Sequence, residues 1–554
     1  MSERLMSEIP YAPHWGRSGL FSARAFATLV FFMLMFSSAT LAVADDRPTL
    51  DLLEVLDTVQ AENRDIRSAE LERERARAGY ESARAGVGPQ VDLELEPYGI
   101  SERRSEGFAG GGDQPPNGAA GGAPVPAPAT TRTQSTGGTL RFSQSLPSAG
   151  RISTEGSVRA RALREINGND NGDTRWEVEP SVALQFSQPV FVDGRLVDVR
   201  VGGAVDREAR AGLRNAEIAR RDAENGSMLA VVELYFAIAD IRASVDTLEQ
   251  SRRILSRQVD ETESDVAAGV ASEQQLLRTR LQENRTREAL LEIREQLRGF
   301  ERSFERLVGG SINPAEFGFS RASELDTDVA TRAENLLDAF PPDARRAWDL
   351  SDNTAVRRAR IAVEQARDER ITNAPDRAPE FSVSGNISRR YPDERDDETD
   401  ISSAFSDLFD GDGGFDWAIS LGFTIPVYDG GRRGSLARSE RLAVELSELE
   451  HREAEAQARD ELADALERIE ILLERLEILR ADRDFEADRL VDIESLAEID
   501  DATELEVDEV RLDLCESENA IGEAVTDLFL TLLDAERIQG RKVSEVVIGI
   551  LAER

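Results

Sequence analysis

The chain has 554 residues, of which 31% are charged and 6% aromatic, a composition typical of long solvated helices rather than of a compact globule. Its formal net charge of −40 argues against nucleic acid as a partner, because the phosphates would be repelled. One cysteine and two histidines are too few for a Cys/His zinc site, and a lone cysteine forms no disulfide within the chain.

The N-terminus has the pattern of a secretory signal peptide. Arg17 and Arg24 precede an apolar run at residues 25–36, and small residues follow up to Ala44. A basic region, a short apolar region and an A-x-A site together predict that residues 1–44 are removed before Asp45. A membrane anchor is the less favoured alternative, because the uninterrupted apolar run is shorter than the ~20 residues of a spanning helix.

The sequence offers no pattern typical of a catalytic centre. His14 leaves with the signal peptide, so a Ser-His-Asp or Cys-His arrangement would depend on His451, which lies in a charged run on a predicted helix surface. The many carboxylates also fit solvated helix faces. We therefore predict no catalytic residue, no cofactor and no metal ion, and we predict that the protein is not an enzyme.

A repeat divides the mature chain into two halves. Residues 184–195 match residues 421–432 at a constant offset of 237, with Leu, Phe, Pro, Val, an aromatic residue, Gly and Arg recurring in register. In both copies the pattern changes here from strand to helix. The predicted strand-to-helix junctions are Pro189, Gly194 and Arg195 in the first half, and Pro426, Gly431 and Arg432 in the second.

The same elements surround both copies of the repeat. A moderate helix is predicted at about residues 49–85 and again at 343–372, and segments of alternating polarity follow each helix. One apolar face at every second residue is typical of transmembrane β-strands of about 9–11 residues, although a half-buried sheet in a soluble domain gives the same pattern. The alternating segments lie near residues 91–95, 182–186, 381–387 and 419–425.

The segments between these strands have the composition of surface loops. Residues 101–137 are rich in Gly, Pro and Ala, and residues 391–415 are rich in Asp, Ser and Gly, so both are predicted to be extracellular loops. The first half also contains an extra candidate hairpin at residues 139–146 and 151–161. The sequence leaves open whether this hairpin belongs to the same sheet as the other predicted strands.

Two very long helices are predicted after the repeated motif. No proline occurs from residue 190 to 313 or from 427 to the C-terminus, and segments 196–267 and 433–496 at 1.5 Å per residue would each span roughly 95–110 Å. Apolar residues at 4-3 spacing indicate helices that pack side by side. Each helix is interrupted once, and Ser272 and Thr503 are predicted to cap helices that return to about Leu307 and Leu533.

In this order and spacing the chain resembles the TolC-like outer-membrane factors, the exit ducts of tripartite efflux pumps and type I secretion systems. Residues 83–91 resemble the family's approach to its first strand, and residues 268–272 followed by 276–278 resemble a hairpin tip. The resemblance implies an α+β membrane protein: a trimeric transmembrane β-barrel continued by a long periplasmic α-helical barrel, built from two tandem repeats per chain. Four strands per chain are the family norm, so the extra hairpin is a departure.

The resemblance also implies a domain plan and a role. The predicted segments are a signal peptide (1–44), a first repeat (45–313), a linker (314–342), a second repeat (343–538) and a C-terminal tail (539–554). The expected role is passive conduction across the outer membrane, with a homotrimer, outer-membrane lipid, a periplasmic adaptor protein and an inner-membrane transporter as partners. The runner-up function is an exported trimeric coiled-coil stalk without a pore.

Two sets of site residues follow from the resemblance. Glu506 and Glu509 align with the acidic ring that narrows the periplasmic entrance, and an ordinary solvated helix surface is the alternative for both. Asp500, Asp508 and Ala502 depart from the family pattern near this tip, so the contacts that close the entrance are expected to differ. The adaptor is expected to contact the two hairpin tips, which comprise Gly269, Val270, Ala271, Ser272, Asp500, Asp501, Ala502 and Thr503.

Overall fold

The structure, a computed structural model, describes most of the chain beyond the predicted signal peptide, which lies outside the described residues together with most of the two predicted loops. The described residues are 47–105, 129–146, 148, 150–167, 170–192, 195–196, 204–373, 380–390, 393–395, 415–424, 427–499 and 501–552.

Helices account for most of the described residues. They are α1 (Leu52–Glu62), α2 (Arg64–Val87), α3 (Ala204–Ala267), α4 (Glu273–Leu307), α5 (Asp326–Ala339), α6 (Thr354–Thr372), α7 (Arg432–Ala497), α8 (Glu504–Ile538) and α9 (Val543–Ala552). Short 3-10 turns lie at Pro314–Glu316, Ala322–Leu325 and Pro342–Ala347.

The strands are concentrated in two parts of the chain. They are β1 (Thr49–Leu50), β2 (Gln90–Ser105), β3 (Ala129–Ser145), β4 (Arg151–Asn167), β5 (Asp170–Val192), β6 (Arg195–Leu196), β7 (Gly318–Phe319), β8 (Glu380–Arg390), β9 (Asp393–Arg395) and β10 (Asp416–Thr424).

One antiparallel sheet contains all the long strands of the described chain. Its order is β10-β8-β5-β4-β3-β2, and the short strands β6 and β9 pair with β5. The extra hairpin that the sequence left open is therefore part of this sheet, as β3 and β4. The predicted loop at residues 101–137 is wrong at both ends, because 101–105 belong to β2 and 129–137 to β3. These segments are rich in Thr, Ser and Gly, so their composition resembles a loop although backbone pairing holds them as strands.

The helices form a wall that continues from the sheet. Near the sheet the packing order is α2, α3, α6 and α7; near the hairpin tips it is α4, α3, α8 and α7. Helices α3 and α7 have 64 and 66 residues, which corresponds to about 95–100 Å each at 1.5 Å per residue. Their apolar stripes are buried against neighbouring helices; Leu462, Ile469 and Leu476 on α7 are at most 1% exposed.

Two buried asparagines join short helices to returning helices. The Asn63 side chain caps the start of α2 by accepting from the backbone N–H groups of Asp65 and Ile66, and its Nδ2 donates to Leu307 O at the end of α4 at 2.9 Å. Asn353 caps α6 in the same way, and its Nδ2 donates to Ile538 O at the end of α8 at 2.8 Å. Groups left unpaired at two helix ends are thus satisfied by one side chain.

The main apolar core lies where these joined helices meet α3. Tyr235 is 1% exposed there; its hydroxyl donates to Leu50 O at 2.6 Å and accepts from Ser320 N at 3.0 Å. This ties the small parallel sheet of β1 and β7 to the helical wall. Helix α9, in the tail that the sequence did not place, buries Val543, Val547 and Ile550 in the same core.

Several predicted helix bounds are corrected by the structure. The first helix, expected at about 49–85, is two helices separated at Asn63, whose extended backbone ends α1 and whose side-chain oxygen caps α2. The helix expected from residue 343 begins at Thr354, after a 3-10 turn. The long helix predicted from about residue 196 does not begin there, because Arg195–Leu196 form β6; α3 is described from Ala204, and α8 continues to Ile538 rather than Leu533.

Candidate functional site

The first hairpin tip is a tight turn between α3 and α4. Gly269 has φ of 76°, a left-handed conformation that favours glycine, and Val270 N and Ala271 N both donate to Asp265 O. Ser272 caps α4 by accepting from Gln275 N, as predicted. Val270 is 79% exposed. The tip therefore presents an apolar side chain on a well-hydrogen-bonded turn.

The second tip, between α7 and α8, has a capping box. Thr503 Oγ1 accepts from Glu506 N, and the Glu506 carboxylate accepts from Thr503 N at 2.8 Å, which confirms Thr503 as the predicted cap. Ile499 is 69% exposed at this tip. Asp501 and Thr503 are exposed and Ala502 is half-buried, whereas Asp500 lies outside the described residues.

The two predicted gate carboxylates lie one turn apart at the start of α8, and both are exposed. The Glu506 carboxylate is part of the capping box, and the hydrogen bond that it accepts from Thr503 N lowers the pKa of Glu506 below its ordinary value. Glu506 is therefore held as a carboxylate near the tip. The structure of one chain brings both residues to the end of the wall but does not bring copies of them together.

A contact that the sequence reasoning missed joins the two hairpins close to this tip. The Arg257 guanidinium on α3 lies 2.8 Å from Asp508 Oδ2 on α8. Arg511, on the next turn of α8, contacts Asp508 and also Glu494 on α7. Asp508 was noted as a departure from the family pattern, and the structure shows what it contacts. No sequence signal distinguished this carboxylate from its many acidic neighbours.

Two further polar contacts join α3 and α8, both farther from the tips than Arg257–Asp508. Asn519 Nδ2 donates to Thr247 Oγ1 at 2.8 Å, and Thr526 Oγ1 donates to Asp240 Oδ2 at 2.9 Å. These contacts recur along the antiparallel helices and tie the first hairpin to the second. Burial raises the pKa of Asp240 to about 6, although the Thr526 hydroxyl and the nearby Arg321 favour its charged form.

The large sheet has one apolar face that extends from edge to edge. Paired positions place Val91, Phe142, Thr154, Leu184, Ile387 and Trp417 in one row across the six long strands. Neighbouring rows on this face add further aliphatic and aromatic side chains. On the edge strands these side chains are highly exposed in the single chain, with Leu93 at 65% and Ile419 at 70%. Such a face needs an apolar surrounding.

The opposite face of the sheet is polar. Arg141 on β3 contacts Glu155 on β4 at 3.0 Å, and Ser157 and Ser181 share a hydrogen bond at 2.7 Å between β4 and β5. Asp92 on β2 lies opposite Arg141 in the register. Alternation between an apolar and a polar face is the pattern of strands between lipid and water.

The predicted strand-to-helix junctions differ between the halves. Pro189 lies at a bulge of β5, a position that tolerates proline. Arg195 belongs to β6, which folds back on β5, so it does not start a helix. Gly431 has φ of 88° and Arg432 starts α7, where the Asp429 side chain accepts from Gly431 N. Gly194 and Pro426 lie outside the described residues.

None of the helices in the described part of the chain is long and apolar enough to cross a membrane.

Comparison with known proteins supports the resemblance that the sequence indicates. Residues 349–493 match the sequence profile of the outer membrane efflux protein family. The resemblance to this family is confirmed. A search of curated proteins by sequence gives no significant match.

Solved structures of an outer membrane protein and of membrane channels share the fold over most of this chain. The outer membrane protein VceC of Vibrio cholerae is 16% identical with a TM-score of 0.53, and the match covers 88% of this chain and 96% of VceC. The CmeC outer membrane channel of Campylobacter jejuni is 11% identical with a TM-score of 0.54, over 90% of this chain and 89% of CmeC. CusC, a protein that forms a transmembrane channel, is 16% identical with a TM-score of 0.51, over 91% of this chain and 95% of CusC. At these identities the shared property is the fold.

Proposed function

We propose that this protein is an outer-membrane exit duct of a tripartite efflux pump or a type I secretion system. The observation that carries the proposal is one antiparallel sheet with an apolar face from edge to edge, continued directly by a wall of helices about 100 Å long. The sheet would lie in outer-membrane lipid and the helices in the periplasm. Conduction through such a duct is passive and involves no bond chemistry.

The proposed duct is a homotrimer of chains that each contain two tandem repeats. We assign residues 1–44 to the signal peptide, 45–313 and 343–538 to the repeats, 314–342 to the linker and 539–554 to the tail. The equivalent roles of Asn63 and Asn353, each joining a short helix to a returning helix, support the repeat assignment. The family resemblance supports the number three.

The hairpin tips are the proposed contact surface for a periplasmic adaptor that connects to an inner-membrane transporter. Val270 and Ile499 support this role, because a large apolar side chain exposed at each tip is suited to burial by a partner. The turns that hold them are constrained by backbone hydrogen bonds and by the caps Ser272 and Thr503. A constrained tip loses little entropy on binding.

At the entrance we place the acidic ring at Glu506 and Glu509. Three copies of each would give a negative field that favours cations. The lowered pKa of Glu506 supports the role, because the hydrogen bonds from Thr503 favour its charged form. The alternative stalk without a pore is less well supported, since a coiled coil needs no sheet with an apolar face.

Single-channel conductance in planar bilayers tests both parts of the proposal. The gate variant is Glu506→Gln/Glu509→Gln, because glutamine at position 506 keeps the capping box and removes the charge. Glu504→Gln is the matched control, an acidic residue on the same turn. We expect the wild-type openings to be cation-selective. In a salt gradient the reversal potential of the double variant should lie closer to zero than that of the wild type, and the control should change little.

Each other outcome removes a defined part of the proposal. Channels with selectivity unchanged in the double variant would keep the duct and reject the acidic ring. Trimeric protein that is inserted in the bilayer but never conducts would reject the duct and favour the stalk.

A further inference from the structure

The sheet has two open edges within the described chain. Strand β2 pairs with β3 on one side only, and β10 pairs with β8 on one side only. Val91, Leu93 and Leu95 on β2 are 65–66% exposed, and Trp417, Ile419, Leu421 and Phe423 on β10 are 63–71% exposed. Unpaired backbone groups at an apolar edge are costly in lipid, so both edges need a pairing partner there.

A single chain cannot close this sheet into a barrel. It supplies six long strands, whereas membrane barrels have eight or more. The six run alternately up and down, so the last strand, β10, is antiparallel to the first strand, β2, of any copy placed beside it. The edges are therefore compatible with each other in strand direction.

The helices continue the same two edges. On one side β2 follows α2, which is joined end to end with α4; on the other side β10 precedes α7. Among the described helices of the wall, the exposed large apolar side chains between the tips lie on these edge helices and not on α3, α6 or α8. They are Leu71 on α2, Leu277, Leu281 and Leu291 on α4, and Leu442, Leu446, Leu449, Ile471, Ile478, Phe485 and Val491 on α7. The apolar edge is thus continuous from sheet to tip.

We propose that β10 of one copy pairs antiparallel with β2 of the next, with Phe423 beside Val91, and that three copies close an 18-stranded barrel. The occupant of each edge is a second copy of this chain. The number three rests on the proposed trimeric duct; the pairing itself rests on the strand count, the strand directions and the two exposed edges.

The register follows from strand tilt. Val91 and Trp417 lie in the same row of the sheet, on its first and sixth long strands. A tilt of about 35° across six strands ~4.8 Å apart displaces the next copy by roughly six residues along the strand. Six residues beyond Trp417 on β10 is Phe423, which then lies beside Val91 of the next copy. Because side chains alternate between the two faces of a strand, a shift by an even number keeps the apolar faces of both copies on the same side. The nine residues Asp416–Thr424 then face residues 90–98 of β2.

The extra hairpin sets the width of this barrel. At the same tilt and strand spacing, 18 strands give a backbone diameter of roughly 34 Å, against roughly 23 Å for 12 strands. Twelve is the number implied by four strands per chain, the family norm. Strands β3 and β4 therefore widen the proposed barrel by about half relative to a 12-stranded one.

Disulfide cross-linking in isolated outer membranes tests the pairing, in a Cys515→Ser background. The test pair is Val91→Cys/Phe423→Cys, positions that face each other only between copies. Leu93→Cys/Leu140→Cys is the positive control, because these residues pair within the chain between β2 and β3. Val91→Cys/Trp417→Cys is the negative control. This pair would cross-link only if neighbouring copies joined their edges without the six-residue displacement. Under oxidation we expect covalent dimers and trimers from the test pair alone, and an intrachain bond in the positive control.

The outcomes separate this inference from the proposed duct. A trimer in membranes with no Val91–Phe423 bond, or with a preferred Val91–Trp417 bond, overturns the register while the duct stands. A failed Leu93–Leu140 bond in inserted trimers overturns the six-stranded count. Monomers that never enter the outer membrane would reject the duct itself.

Discussion

We predict that the Arg257–Asp508 ion pair holds the two hairpins together in the closed entrance, so that its removal favours the open entrance. Arg257→Ala deletes a guanidinium that lies 2.8 Å from Asp508, with side-chain exposures of 52% and 23%. A partly exposed pair of this kind contributes about 0.5–1 kcal/mol. Because three copies act on one entrance in the proposed trimer, the sum is about 1.5–3 kcal/mol, which changes the ratio of open to closed channels roughly 10- to 150-fold.

The assay is single-channel open probability at low and high ionic strength. The matched control is Arg253→Ala, which removes an arginine of the same helix whose ion pair, with Glu249, stays within that helix. We expect more openings in Arg257→Ala at low salt, a smaller difference at high salt because of screening, and recovery in the charge swap Arg257→Asp/Asp508→Arg. Equal open probability in wild type, Arg257→Ala and Asp508→Asn at low salt would refute the reasoning.

Two further predictions concern stability of the helical wall, measured as the denaturant midpoint of the helical circular dichroism signal. Asp240 has a pKa of about 6 in the folded chain, above the ordinary value near 3.8. Its protonated form therefore adds about 3 kcal/mol to the free energy of unfolding below pH 4, and this contribution is lost as the pH rises from about 4 to 6. Asp240→Asn should therefore flatten this part of the pH profile, and an unchanged slope would show that Asp240 does not cause it. Tyr235→Phe leaves Leu50 O and Ser320 N without their buried partner and should cost about 1–3 kcal/mol per chain, whereas exposed Tyr98→Phe should have almost no effect; equal midpoints would contradict the role of this hydroxyl.

Elements with strong local signals were predictable from the sequence. Long segments without proline predict α3 and α7 to within a few residues at their tip ends, and Ser272 and Thr503 are identifiable as caps from their position after an interruption. Capping depends on atoms within three residues of the cap, so a local reading is sufficient.

Features that depend on distant partners were not predictable. Asn63 caps α2 locally, but its second bond, from Nδ2 to Leu307 O, joins it to a residue 244 positions away and could not be predicted. Arg257 selects Asp508 from a helix with many carboxylates, and only the packing of α3 on α8 determines that choice. The ends of β2 and β3 resemble loop in composition because backbone pairing, rather than side-chain burial, holds them.

The asparagine joints also constrain the order in which the chain folds. The bonds from Asn63 to Leu307 and from Asn353 to Ile538 close loops of 244 and 185 residues. Each short helix can begin to form soon after synthesis, yet its docking site on the wall is complete only when the returning helix has been made and folded back. Contacts so far apart in sequence form slowly. Completion of the wall therefore waits for the last residues of α8, and a nascent or truncated chain would leave Asn353 at the start of α6 without its partner Ile538 O.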